Sequence, residues 1–133
     1  MAMIIKGKNL DPVKDFEPPY SLRRGVNKHT VGETPITVSR AVIPPGGRNQ
    51  RHYHINTCAA GFVLKGRIRV FYGPDHDQKH VDGEAGDFFY FPKGEIHGQM
   101  NLSDTEPAEL IACQMVGSKE EAGTIFVEPP WEE

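Results

Sequence analysis

The chain has 133 residues, a net charge of −3, 38% hydrophobic and 25% charged side chains, the profile of one soluble domain with a single core. No basic face is visible, which argues against a nucleic-acid partner, and no apolar run approaches membrane-spanning length. Cys58 and Cys113 make no disulfide framework, and residues 1–5 are followed at once by Lys6 and Lys8 rather than by a secretory core, so the expected compartment is the cytoplasm.

Residues 1–35 read as an irregular arm. Pro12, Pro18 and Pro19 exclude a helix or a central strand there, and residues 22–26 offer one short strand. The arm has too little apolar surface to fold alone, so it must lie on the domain or on a partner subunit. Residues 36–133 form the domain proper. The β-branched run 36–43 predicts a strand that ends in the turn Pro44-Pro45-Gly46-Gly47. An extended course resumes from Gln50 to His54, and 60–64 is a buried strand. Lys65-Gly66 reads as a hairpin into 67–72, where apolar residues alternate at 68 and 70.

A polar loop over 73–80 and a turn over 82–87 precede the short apolar strand 88–91, stopped by Pro92-Lys93-Gly94. Residues 95–101 are extended, 108–116 form the last long strand, and 123–127 add an edge strand. Residues 119–122 allow at most a turn of helix, and Trp131 in the tail docks on the domain. Fourteen Gly and eleven Pro punctuate these many short strands, which predicts an all-β sandwich or barrel with little or no helix.

His52 and His54, two apart on one strand, share a face. His97 is delivered just past the Pro92–Gly94 turn of another strand. Three imidazoles make three corners of a metal site and leave other positions open to water or substrate, as catalytic centres do. Imidazole ligands suit Fe(II), Zn, Ni, Mn or Cu. His76 and His80 read as solvated loop residues, and His29 as a surface or arm-packing residue.

The spacing around these histidines resembles the cupin family. Its first motif, Gly-x5-His-x-His-x(3,4)-Glu-x6-Gly, is met by Gly46, His52, His54 and Gly66, with Ala59 where the Glu belongs. Its second, Gly-x5-Pro-x-Gly-x2-His-x3-Asn, is met in full by Gly86, Pro92, Gly94, His97 and Asn101. The resemblance implies a double-stranded jelly-roll β-barrel that holds a divalent transition metal on His52, His54 and His97. It also implies a homodimer, with the arm suited to cross between subunits. Ala59 marks the missing ligand. Removing that carboxylate leaves the ion more positive and more open to an anionic substrate.

Cupins with three histidines and no Glu include Fe(II) dioxygenases. The implied activity is therefore a metalloenzyme of that type, Fe(II) first, acting on a small polar organic substrate. A metal-dependent lyase or isomerase and a non-catalytic binding or sensing module are the alternatives. By strand parity Asn56 and Gln99 face the pocket, Arg40 is a candidate for a substrate carboxylate, and Tyr90 is one of the aromatic residues that can wall it.

Overall fold

The computed structural model describes residues 1–127; Trp131 and the rest of 128–133 lie outside the described residues. Ten strands follow in chain order: β1 (Ser21–Val26), β2 (Thr37–Ile43), β3 (His52–His54), β4 (Ala59–Lys65), β5 (Arg67–Tyr72), β6 (Lys79–Glu84), β7 (Phe88–Phe91), β8 (His97–Asn101), β9 (Ala108–Gln114) and β10 (Thr124–Phe126). They form two five-stranded antiparallel sheets, ordered β1-β2-β9-β4-β7 and β10-β3-β8-β5-β6. This is the jelly-roll architecture expected, with two single-turn helices, α1 (Lys28–Val31) and α2 (Lys119–Ala122).

The core lies between the sheets. β2 turns Ala41 and Ile43 inward, β4 turns Ala59 and Val63 inward, and Ile68, Val70, Phe91 and Leu110 complete the packing. Period-two alternation thus assigns each strand one buried face. Asn101, the last residue of the second motif, fastens the barrel: its amide donates to the carbonyls of Ile43, Pro44 and Glu106, and its oxygen accepts from the Ser103 backbone.

Two strand expectations need correction. Residues 79–84, read as loop and turn, form β6 and pair with β5 along its full length. Nearly every β6 residue is exposed, so no apolar alternation marked it. Lys65-Gly66 is not a hairpin, because β4 and β5 belong to different sheets. Gly66, at φ +88°, turns the chain from one sheet to the other, and a Cβ there would sit 3.1 Å from Ala108.

The arm folds on its own barrel. β1 pairs with β2, and Val13 and Leu22 exchange backbone hydrogen bonds at 2.8 and 2.9 Å, closing residues 13–22 into a loop. Tyr20 drops from this loop into the core, where it is fully buried. Its hydroxyl donates to the Gln99 carbonyl at 2.6 Å.

Candidate metal centre

β3 and β8 are neighbours in the second sheet, and His52 stands directly opposite His97 in their register. His54, two residues along β3, shares that face. The three ligand nitrogens lie within 4.8 Å of one another, and all three residues are buried.

Each ring is held from behind by its Nδ1. His52 Nδ1 is 2.9 Å from the Gln50 carbonyl, His97 Nδ1 is 2.9 Å from the Glu95 carbonyl, and His54 Nδ1 is 2.9 Å from the Thr124 hydroxyl. Backbone carbonyls only accept, so His52 and His97 each carry a proton on Nδ1, which in a neutral His97 leaves Nε2 with a free lone pair. Gly94 donates its N–H to the His54 carbonyl at 2.9 Å, docking the Pro92–Gly94 turn against β3 and aiming β8 at the site.

Burial favours the neutral form of His54 and His97. His54 is pushed down to about 4, first by desolvation and then by His52. His97 is pushed down to about 2 by desolvation, with His52 and His54 adding to it against the Glu95 carbonyl. Neutral imidazoles with Nε2 free and Nδ1 anchored are the form in which histidine binds a metal. The donor set therefore fits a divalent transition ion.

The walls are aromatic. Phe91 stacks on His97 at 4.0 Å with the planes 11° apart, and Phe126 lies 5.5 Å from His52. Phe91 also lines a cavity of about 340 Å³ between β6 and β7. Ala59 points inward, where it is paired in register with Phe91 on one side and Gln114 on the other. The Gln114 amide enters the space an acidic side chain would fill, its nitrogen 3.5 Å from His54 Nε2. On the opposite flank, Glu17 of the arm places a carboxylate oxygen 3.3 Å from His52 Nε2.

The expected pocket residues divide. Gln99 is buried on the inward face of β8, and its side-chain oxygen has no hydrogen-bond partner among the described residues. Arg40 does not reach the histidines: Ala41 is the inward residue, so Arg40 faces out and pairs with Glu109 at 2.9 Å. Tyr90 is 62% exposed, because its neighbour Phe91 takes the inward position. Asn56 is exposed and donates to the Glu121 carbonyl, tethering α2. Arg51, beside His52, is buried and paired with Asp75.

Sequence reasoning missed Glu17, Gln114 and Thr124. Gln114 sits across from Ala59 and Thr124 across from His54, so strand pairing could have pointed to both. Nothing in the arm's sequence marks Glu17.

A profile of the family described as "Cupin domain" matches residues 39–113. Germin-like protein 5-1 of Oryza sativa subsp. japonica is 34% identical over 99 residues, 71% of this chain and 44% of that protein. The chain spans less than half the length of the curated relatives it matches. Among solved structures, oxalate decarboxylase from Bacillus subtilis superposes with a TM-score of 0.76 at 20% identity, over 96% of this chain and 33% of that one. Oxalate oxidase in complex with the substrate analogue glycolate gives 0.75 at 20% identity, over 97% and 69%. At such identities these two likenesses speak for the fold alone.

Proposed function

Because the chain belongs to the cupin domain family, we propose that it is a small metalloenzyme in which His52, His54 and His97 hold one divalent transition metal. Fe(II) is the first choice, ahead of Zn, Ni, Mn and Cu. The substrate is a small polar organic molecule, and the class to try first is the short carboxylate that oxalate and glycolate represent. The observation that carries this reading is the convergence of three buried imidazoles whose Nδ1 atoms are all engaged.

When bound, such an ion supplies a Lewis-acid face for oxygen donors and, as Fe(II), redox chemistry with dioxygen. The chain's residues do the rest. The Gln50 and Glu95 carbonyls and the Thr124 hydroxyl fix ring orientation. Phe91 and Phe126 wall the two flanks. The buried Gln99 oxygen is an acceptor for a substrate hydroxyl.

The likeness to an oxalate decarboxylase favours one second reading, a lyase that releases CO2 without net oxidation. Elemental analysis of untagged protein, beside a His97→Ala control, tests the metal. Oxygen uptake and CO2 release with oxalate and glycolate separate the reactions. About one equivalent of iron, lost in the control, with oxygen uptake supports the oxygenase; CO2 release without uptake supports the lyase. No metal after reconstitution with each candidate ion removes both. The proposal includes a homodimer, supported by the exposed apolar edge at Val81, Phe88 and Tyr90; sedimentation at the monomer mass removes that part.

A further inference from the structure

The cupin motif's carboxylate is absent at Ala59, yet a carboxylate is present at the site. Glu17 reaches it from the arm, with one oxygen 3.3 Å from His52 Nε2 and a side chain only 15% exposed. Two ligand atoms that share one ion, each about 2.1 Å from it, stand about 3.0–3.4 Å apart. The Glu17–His52 spacing falls in that range, while the group whose ligand atoms all lie within 4.8 Å of one another is the three histidines, so Glu17 must swing from His52 toward His54 and His97 to share their ion.

The Glu17 carboxylate is largely buried beside His52, and burying an acid is offset by positive charge placed near it. Arg24 is coupled to Glu17 from the arm, and a divalent ion among the three Nε2 atoms would add positive charge on the histidine side.

The placement of Glu17 is built. Its carbonyl accepts from the Tyr20 N–H at 2.7 Å, and the Tyr20 side chain is bolted to Gln99, two residues from His97. Phe16 packs edge-on against Phe126 at 5.8 Å, while Arg24 and Lys119 each lie 4.9 Å over the Phe16 ring. Val13 and Leu22 close the loop behind it. The tip of the loop lines a cleft of about 280 Å³ with Gln50 and Phe126.

We infer that Glu17 is the acidic metal ligand of this protein: the N-terminal arm returns, from a different place in the sequence, the carboxylate that Ala59 lacks. The inference rests on the three histidines binding a metal. Gln114, at 3.5 Å from His54 Nε2, is the rival on the other flank. Its neutral amide adds no charge, so its removal matters less.

Titration of the metal-free full chain with Co(II), followed by its visible absorption and by competition with a chelator, tests this. Thermal melts confirm that each variant is folded. Glu17→Gln should weaken Co(II) binding at least tenfold and change the absorption bands, while Gln114→Leu should change affinity less than threefold. Adding the motif acid, as Ala59→Glu in the Glu17→Gln background, should recover most of the affinity. Wild-type affinity and an unchanged spectrum in Glu17→Gln would overturn the assignment while His97→Ala still abolishes binding. If the wild type binds no Co(II), Zn or iron, the metal-centre reading falls and this inference with it.

Discussion

Tyr20 and Gln99 join the arm to the strand that carries His97: the phenol donates to the backbone carbonyl at 2.6 Å, and both groups are buried. Through this bond the N-terminal segment is part of the barrel. Tyr20→Phe removes it with almost no change in volume. The Gln99 carbonyl still accepts from the Asn49 N–H at 3.3 Å, so it is not orphaned. The expected cost is about 1 kcal/mol in urea unfolding. A loss above about 3 kcal/mol would mean that the arm and barrel unfold as one packed unit.

Asn101→Ala should be more damaging. Four hydrogen bonds converge on this buried amide, three donated and one accepted. Alanine leaves those carbonyls and the Ser103 N–H without their partner inside a closed corner. A loss of about 2–4 kcal/mol is expected, read from the midpoint of chemical denaturation.

Thr124 would act on a metal bound at the cluster through His54. Its hydroxyl holds Nδ1 at 2.9 Å, and the two residues are register partners across β10 and β3. Thr124→Val keeps the shape and removes the bond. Metal affinity should fall 10- to 100-fold with little change in unfolding stability, and Thr124→Ser should restore it. Equal affinity in all three proteins would show that ring orientation is set by packing alone.

The metal-free protein should lose stability in mild acid. Desolvation, aided by His52, lowers His54 from the usual 6.5 to about 4. Between those values the unfolded chain takes up a proton that the folded chain does not. The stabilisation is therefore complete above about 6.5 and lost as pH falls toward 4, with His54 contributing about 3 kcal/mol. His97, pushed to about 2 mainly by desolvation, acts in the same direction. Denaturation midpoints at pH 7.5, 6 and 5 check this. A His54→Leu variant should show a shallower slope, and a slope equal to wild type would place the acid sensitivity elsewhere.

The legible parts of the chain were those governed by local rules. Parity put His52 and His54 on one face, and the Pro92–Gly94 turn announced His97, because both signals lie within a few residues. Strands with one apolar face were legible for the same reason. β6 was not, since an exposed edge strand buries nothing that alternates. Arg40 and Tyr90 were chosen for their chemistry near the motifs, and only the fold shows that the core claims their neighbours Ala41 and Phe91 instead. Glu17 and Gln114 lie about 35 or more residues from the nearest ligand they approach, and only the closed barrel brings them there.

β3 is three residues long and registers with β8 at the single pair His52–His97. A slip of one residue along that seam would send His97 to the opposite face of the sheet. The barrel could survive such an error, but the histidine cluster could not. An ion bound there works as a rivet, rewarding only the native alignment of two strands that share little else. Loading the ion and proofreading the strand register are then one event.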